Sequence, residues 1–326
     1  MADAERGIRD LLARGQAYAR AGDTRAAASF FAAALRAAGG RDPAAPLASE
    51  LRDADAYVRR AAADYQAHLE RAVAAVGGGP RLDEALAILL GRKPLHIPDV
   101  AYPQRPSIFH FPGLPHRPFY ERDSFGWAPA LESVTPAIRA EVEALLAQGA
   151  EFRPYIEGEK NRPQRDFHGL QGDPSWSALY LWKDGSVVER NAERCPRTMA
   201  ALRTVPLSHI GSRTPSVLFS LLRPGAHIPP HTGMLNARLI CHLPLIVPPG
   251  GWLRVGGERR SWKEGKLLIF DDSIEHEAKN PADELRIVLL FDIWRPELSE
   301  AERRGLSAIF DAIDAYSPSA AAQHGA

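Results

Sequence analysis

Two histidines stand in short motifs whose residue types suit iron chemistry. His231 closes the stretch His-Ile-Pro-Pro-His and is followed by Thr-Gly, and His276 lies 45 residues later in Phe-Asp-Asp-Ser-Ile-Glu-His-Glu. An oxygen-activating ferrous site needs neutral imidazoles on one side and open coordination positions on the other, and proteins usually build it from two histidines and a carboxylate. Arg286 follows ten residues after His276, on the next predicted strand, where its guanidinium can bind a carboxylate through two parallel hydrogen bonds. The spacing therefore predicts an iron site with an anion-binding arginine.

From about Ser107 to Leu298 the sequence resembles the aspartyl/asparaginyl β-hydroxylases, because His-Thr-Gly and Phe-Asp-Asp-Ser-Ile-Glu-His-Glu are highly specific to that family. The resemblance implies a double-stranded β-helix fold and dependence on Fe(II), 2-oxoglutarate and O2. It also implies hydroxylation of the β-carbon of an aspartate or asparagine residue in a peptide, a protein or a carrier-bound amino acid.

The same resemblance assigns roles to individual residues. It implies three catalytic residues, with His231 and His276 as the metal ligands and Arg238 facing the acidic side chain of the substrate. It implies that four residues bind 2-oxoglutarate, namely Trp176, Ser220, His242 and Arg286. Of these, Arg286 and Ser220 are expected on the distal carboxylate and His242 nearer to the metal.

Two positions depart from the patterns of related enzymes. Gly233 stands where the wider oxygenase superfamily carries its carboxylate ligand, and the hydroxylase family shares this glycine. Water or a small anion would then complete the coordination, and we expect Gly233→Asp to restore the common three-ligand set. Ile240 occupies a position at which the animal enzymes carry a basic residue, which removes one positive charge that could bind the co-substrate or an aspartate substrate.

Several neighbouring residues have simpler interpretations. Asp271 and Asp272 follow an apolar run and are expected to shape a turn at the end of a strand rather than to form an acid/base pair. His227 precedes a Pro-Pro turn and is expected to be a loop residue. Trp252 and Trp262 are expected to pack in the core or in hairpins.

Two rival functions remain open at this point. One is oxidation of another small substrate, including halide transfer through the position that Gly233 leaves open. The other is a non-catalytic, cupin-like binding module with a helical arm. The joint presence of His231, His276 and Arg286 argues against the second, because a decayed site usually loses at least one such residue.

From Trp176 onward the chain has the pattern of short strands separated by turns, with hairpin signals such as Pro-Pro-Gly-Gly. The predicted strands cover 177–182, 216–222, 237–247, 252–255, 266–270 and 285–293. Several short strands at regular spacing favour a barrel or a jelly roll. Helices are predicted over 136–148 and 299–315, the second with a Ser-x-x-Glu capping box, and the chain after Tyr316 is expected to be frayed.

The N-terminal part of the chain has a helical pattern. Residues 11–38 resemble one tetratricopeptide unit, in which small residues allow two helices to approach and Tyr18 and Phe31 fill the gap between them. Further helices are predicted over 46–76 and 82–90. We therefore predict an α+β protein with a helical, tetratricopeptide-like domain over 1–92, which shapes substrate access, and an oxygenase domain over 93–326.

Composition excludes several classes of function. Lys plus Arg (40) equals Asp plus Glu (40), so the chain lacks the basic excess of nucleic-acid-binding proteins and of proteins that bind anionic membranes. The two cysteines, Cys195 and Cys241, are too few for a disulfide framework. The N-terminal residues lack the apolar segment of a signal peptide. A cytoplasmic location is the expectation, and the sequence does not specify an oligomeric state.

Overall fold

A computed structural model describes residues 2–39, 45–77, 79–157 and 169–316. The described chain falls into two compact units. The first contains the N-terminal helices as far as Ala75 and the end of the last helix from Ile309, and the second contains the described residues between Val76 and Ala308. An independent domain over 1–92 with a role in substrate access stays a prediction, and the tail after Tyr316 lies outside the described residues.

The first unit begins with the predicted helix hairpin, α1 (Ala2–Arg20) and α2 (Thr24–Ala38), which α3 (Ala45–Val76) follows. Asp23 caps α2 by accepting a hydrogen bond from the Ala26 backbone N–H at 2.9 Å. Gly15 permits the close approach of the two helices, since a Cβ there would lie 2.6 Å from the Phe31 ring. The predicted hairpin and its packing through Phe31 are confirmed.

The second unit contains helices as well as sheets. The helices are α4 (Pro80–Leu89), α5 (Ala128–Ser133), α6 (Thr135–Ala147), α7 (Glu189–Ala192), α8 (Pro196–Leu202) and the first part of α9 (Glu300–Ala315), with 3-10 turns at Arg122–Ser124 and Gly211–Arg213. Ser299 and Glu302 form the predicted capping box, in which the Ser299 backbone N–H donates to Glu302 Oε2 at 2.8 Å. Helices α4, α6 and α9 were predicted, whereas the short α5, α7 and α8 were not.

Two antiparallel sheets face each other as a double-stranded β-helix. Their strands are β1 (Phe119–Tyr120), β2 (Arg153–Pro154), β3 (Trp176–Lys183), β4 (Ser186–Val187), β5 (Val217–Leu222), β6 (His227–His231), β7 (Arg238–Ile246), β8 (Trp252–Val255), β9 (Glu258–Ser261), β10 (Leu268–Phe270), β11 (His276–Lys279) and β12 (Arg286–Trp294). The large sheet has the order β1-β10-β7-β12-β5-β3-β2, with β4 paired to β3, and the small sheet has the order β6-β11-β8-β9. The jelly-roll prediction is confirmed.

The period-two alternation of strands divides the large sheet into an outer and an inner face. Outward side chains such as Leu239 and Cys241 of β7 pack with those of α5, α6 and α8. Inward side chains such as Ile240 pack with side chains from the small sheet. Arg238 and His242 have the same parity as Ile240, so β7 directs all three toward the space between the sheets. Within the described residues no helix is long and apolar enough to cross a membrane.

Candidate functional site

His231 and His276 lie next to each other on paired strands of the small sheet. They are direct register partners of β6 and β11, and their ring centres are 4.1 Å apart. Non-local pairing has thus joined two motifs that the sequence separates by 45 residues. The predicted convergence of the two imidazoles is confirmed, while their role as metal ligands stays a proposal.

Hydrogen bonds define the tautomer of both rings. His231 Nδ1 lies 2.9 Å from the Pro229 carbonyl oxygen, and His276 Nδ1 lies 3.0 Å from that of Ile274. A carbonyl only accepts, so each Nδ1 is the protonated nitrogen and each neutral ring carries its lone pair on Nε2. This is the arrangement in which a backbone carbonyl orients a metal-binding imidazole.

The electrostatic environment keeps the second ring neutral. Burial lowers the pKa of His276 to about 4, so the imidazole is unprotonated at neutral pH. The described residues contain no cluster of three or more histidine, cysteine or carboxylate side chains with metal-ligand geometry. Two imidazoles of the same tautomer fit Fe(II) and would leave its other coordination positions to further ligands.

Asp272 occupies the space beside Gly233. A Cβ at Gly233 would lie 2.0 Å from Asp272 Oδ2, and the Gly233 backbone N–H donates to the Asp272 carbonyl oxygen at 2.6 Å. Asp272 Oδ1 is buried and has no hydrogen-bond partner. The expectation that Gly233→Asp adds a third ligand stays a prediction, and it requires the Asp272 side chain to move, because its carboxylate stands where the new side chain would go.

We expect Gly233→Asp to lower the free energy of unfolding by about 1–3 kcal/mol, because the added atoms must displace Asp272. Gly233→Ala adds only the Cβ that meets Asp272 and is expected to lose a large part of the same free energy. Urea unfolding of both variants measures the two losses. Unchanged stability of Gly233→Ala would contradict the steric explanation.

Arg286 is a buried cation on β12, with 1% of its surface exposed. Its Nη1 donates to the Ser220 backbone oxygen at 3.2 Å, and its guanidinium lies 4.7 Å from the centre of the Trp262 ring. Its Nε is buried without a hydrogen-bond partner, and no carboxylate of the described residues forms a salt bridge with it. Burial lowers the pKa of Arg286 to about 9. Since an unpaired buried charge costs several kcal/mol, this position is suited to bind an anion.

The other expected co-substrate residues surround Arg286. Ser220 Oγ lies 3.5 Å from Arg286 Nη1 and accepts from Trp176 Nε1 at 3.4 Å. Trp176 in turn stacks on Tyr155, with ring centres 4.0 Å apart, and its ring centre lies 6.1 Å from that of His231. Trp176, Ser220 and Arg286 therefore form one cluster that extends toward the histidine pair.

His242 has the opposite tautomer to the other two histidines. Its Nδ1 accepts a hydrogen bond from Trp262 Nε1 at 3.3 Å, and because an indole N–H only donates, the proton of the neutral ring is on Nε2. Burial, with the nearby charge of Arg286, lowers the pKa of His242 well below its ordinary value. His242 is thus equipped to donate one hydrogen bond to a carboxylate.

Arg238 reaches the site but is already bound to two carboxylates. Its Nη2 lies 3.0 Å from Asp272 Oδ2 and its Nη1 lies 3.6 Å from Asp292 Oδ2. The side chain is buried, with 6% of the residue exposed. An acidic substrate would have to compete with these two aspartates, and the expected contact of Arg238 with substrate stays a prediction.

The remaining charged residues shape the loops around the histidines. Asp271 accepts from the Ser273 backbone N–H at 3.0 Å and pairs with buried Arg295 at 2.7 Å, so its expected role in the turn is confirmed. His227 is on β6 rather than in a loop. Its Nε2 lies 2.7 Å from Glu277 Oε2 at an exposed position, which agrees with the expectation that it is not a third ligand.

Sequence reasoning missed three residues that contact the expected site. Trp262 supports both Arg286 and His242, although only a packing role was predicted for it. Asp272 and Asp292 neutralise Arg238, and neither stands in a motif that indicates this pairing. The one available signal was the even spacing from Arg286 to Asp292, which puts both on the inner face of β12.

Comparison with known families gives a match over most of the β-rich region. A family model described as "Aspartyl/Asparaginyl beta-hydroxylase" matches residues 132–296, a range that includes every candidate site residue. The human aspartyl/asparaginyl β-hydroxylase is 35% identical over 209 residues, which cover 62% of this chain and 26% of that protein. An ornithine lipid ester-linked acyl 2-hydroxylase from Rhizobium tropici is 38% identical over 191 residues, which cover 58% of this chain and 64% of that protein.

The chain therefore spans about a quarter of the human enzyme and just under two thirds of the bacterial one. Among solved structures, a Pseudomonas putida prolyl-4-hydroxylase is 15% identical with a TM-score of 0.31, and the match covers 52% of this chain and 99% of that one. A cupin domain from Enterobacter cloacae is 11% identical with a TM-score of 0.26, covering 37% of this chain and 98% of that one.

Proposed function

Because this chain belongs to the aspartyl/asparaginyl β-hydroxylase family, we propose that it is an oxygenase that uses Fe(II), 2-oxoglutarate and O2 to hydroxylate an unactivated C–H bond. The observation that carries the proposal is the buried Arg286 guanidinium, which forms no salt bridge within the described residues. It lies in a cluster that extends toward His231 and His276, whose Nδ1 atoms donate to backbone carbonyls and whose Nε2 atoms therefore carry the lone pairs that a metal would bind.

His231 and His276 would hold the metal through their Nε2 atoms. When bound, Fe(II) would supply O2 activation coupled to the oxidative decarboxylation of 2-oxoglutarate. The Pro229 and Ile274 carbonyls orient the rings by accepting from Nδ1. Asp272 would contribute without being a metal ligand, since its buried Oδ1 can accept a hydrogen bond from a metal-bound water.

The cluster on the large sheet would bind 2-oxoglutarate. Arg286 and Ser220 would take the distal carboxylate, because a fork of N–H donors matches a carboxylate. Trp262 holds the guanidinium by its ring face and fixes His242 by its indole N–H. His242 would then donate a hydrogen bond from its Nε2–H to the other carboxylate of 2-oxoglutarate, nearer to the histidine pair.

The substrate belongs to one of two chemical classes. The sequence motifs indicate the β-carbon of an aspartate or asparagine residue, and the name of the human relative agrees with that prediction. The name of the Rhizobium relative instead specifies an acyl chain of a lipid. Halide transfer is disfavoured, because the Asp272 carboxylate lies beside the position that a halide would occupy.

Conversion of 2-oxoglutarate without substrate tests the proposed function. We expect the full chain with Fe(II) and ascorbate to form succinate and to consume O2 in equal amounts, and a chelator to abolish both. NMR detection of succinate together with an oxygen electrode measures the two rates. Complete absence of 2-oxoglutarate-dependent O2 consumption by folded, iron-loaded protein would refute the assignment and favour a binding module.

A further inference from the structure

A segment that precedes β1, residues 104–116, lies outside the range that the family model matches. It is nevertheless bonded to both loops that adjoin the histidine strands. The Ser107 backbone N–H donates to the Gly233 carbonyl oxygen at 2.9 Å, in the loop after β6. The Arg105 backbone N–H donates to the Ser273 carbonyl oxygen at 2.7 Å, in the loop before β11. The 104–116 segment therefore connects the two loops.

The side chain of Gln104 holds this segment against the loop before β11, and only 1% of the residue is exposed. Its Nε2 donates to Asp271 Oδ2 at 2.7 Å and to the Pro115 carbonyl oxygen at 3.0 Å. Its Oε1 accepts from Asn236 Nδ2 at 2.8 Å. Both donors and the acceptor oxygen of this buried amide have partners, and a fully paired polar group of this kind rigidifies its surroundings.

Asn236 makes the corresponding connection from the loop after β6. It is fully buried, its Nδ2 also donates to the Phe111 carbonyl oxygen at 2.9 Å, and its Oδ1 accepts from the Phe111 backbone N–H at 2.7 Å. The hydrogen bond between Asn236 and Gln104 joins residues that are 132 positions apart in the chain. Through this amide pair, the loops before β11 and after β6 are bonded to each other by way of the 104–116 segment.

A buried ion pair anchors the amide pair. Asp271 and Arg295 are both fully buried, and Arg295 Nη1 donates to Asp271 Oδ2 at 2.7 Å. The same Nη1 donates to the Asn236 carbonyl oxygen at 3.1 Å. The Ser273 backbone N–H donates to Asp271 Oδ1 at 3.0 Å. Because both carboxylate oxygens are bonded inside the protein, the backbone at Asp271 is held in one position.

Asp272 is the residue whose backbone this network restrains. It follows Asp271 directly, and its carbonyl oxygen accepts from the Gly233 backbone N–H at 2.6 Å. Arg238 Nη2 lies 3.0 Å from Asp272 Oδ2, whereas Oδ1 is buried without a hydrogen-bond partner. Arg238 thus holds the carboxylate at one oxygen, and the network fixes the backbone from which the other oxygen projects.

We propose that Gln104 and Asn236 are positioning residues, which together hold Asp272 beside the His231–His276 pair. The proposal rests on the proposed function, in which the unpaired oxygen of Asp272 accepts from a metal-bound water. It adds to the site two amides whose described hydrogen bonds reach neither histidine and which act through the loops.

Gln104→Met tests the connection, because methionine has a similar length and no amide. The variant should fold, since Arg295 still donates to Asp271 at 2.7 Å and to the Pro115 carbonyl oxygen at 2.9 Å. We expect the full chain to bind Co(II) about tenfold more weakly, at the lower end of the effect of losing a residue that orients a metal site. The visible absorption of bound Co(II) should also change, because Asp272 would no longer hold a metal-bound water in place.

A double-mutant cycle separates positioning from general destabilisation. In the Asp272→Ala background, Gln104→Met should alter Co(II) affinity by less than about twofold, because the residue through which it acts is gone. The control Asn191→Leu removes an amide hydrogen bond to the Tyr180 carbonyl oxygen and should have no such effect in either background. A tenfold loss in the Asp272→Ala background, or no loss in the chain that keeps Asp272, would overturn the proposal.

Hydrogen exchange of the metal-free chain separates failure of this inference from failure of the proposed function. In Gln104→Met, peptides that contain Gly233 and Asp272 should exchange faster by mass spectrometry, while peptides of β5 should not change. If the unaltered chain does not bind Co(II), the proposed function is refuted, and faster exchange in these peptides would still support the connection between the loops. Unchanged exchange would overturn that connection even if Co(II) binds.

Discussion

Arg286→Lys is expected to raise the 2-oxoglutarate concentration needed for half-maximal succinate formation by about 10–100-fold, because lysine cannot form the two parallel bonds of a guanidinium fork. The lysine would also lose much of the contact with the Trp262 ring, whose centre lies 4.7 Å from the guanidinium carbon. Iron affinity should change much less, since the described hydrogen bonds of Arg286 go to Ser220 and not to His231 or His276. Initial rates at varied 2-oxoglutarate and varied Fe(II) measure the two effects separately.

The chain contains a matched control for this experiment. Arg259 lies over the Trp252 ring at 3.9 Å, so it makes the same kind of cation–π contact, but it is an exposed residue of β9. Arg259→Lys is expected to leave the 2-oxoglutarate requirement unchanged. If the two lysine variants behave alike, Arg286 does not bind the distal carboxylate.

His231→Ala and His276→Ala are each expected to weaken metal binding by on the order of a hundredfold or more, because loss of a residue that merely orients a ligand already costs 10–100-fold. Each substitution removes an Nε2 lone pair that the neighbouring carbonyl has oriented. Calorimetric titration with Co(II) under anaerobic conditions measures the affinity without requiring turnover. Circular dichroism of the metal-free variants verifies that they are folded.

His227→Ala is the control for the histidine variants. His227 lies on the same strand as His231, but its imidazole is bonded to Glu277 at an exposed position. Its removal should leave Co(II) affinity within about twofold, because the exposed imidazole bonds to Glu277 and makes no described contact with His231 or His276. An equal loss of affinity in all three variants would mean that the two converging histidines are not the specific ligands.

The secondary structure could be predicted wherever local patterns were strong. The apolar runs of β5, β7 and β12 alternate sides along buried strands, and Asp23 and Ser299 mark helix starts by their capping chemistry. These features depend on residues close together in the chain, so periodicity and capping rules suffice. The family motifs likewise singled out the histidine pair, which the fold brings together.

The strands that carry the two histidines could not be predicted in this way. β6 contains Pro229 and Pro230, which usually argue against a strand, but β6 is an edge strand of the small sheet, where missing N–H donors are tolerated. β11 is a short run with two charged residues, Glu277 and Lys279, and becomes a strand through pairing on both sides. Tertiary pairing therefore outweighed local propensity at both strands.

The chain by itself determined which residues carry chemistry: the imidazoles, the forked cation Arg286 and the glycine at position 233. Only the tertiary structure decided their chemical states. It set opposite tautomers for His242 and the His231–His276 pair, left Arg286 without a carboxylate among the described residues, and gave Arg238 two. The physical reason is that protonation, pairing and desolvation depend on groups brought close by strand pairing, and the distance between such groups along the chain does not determine their distance in space.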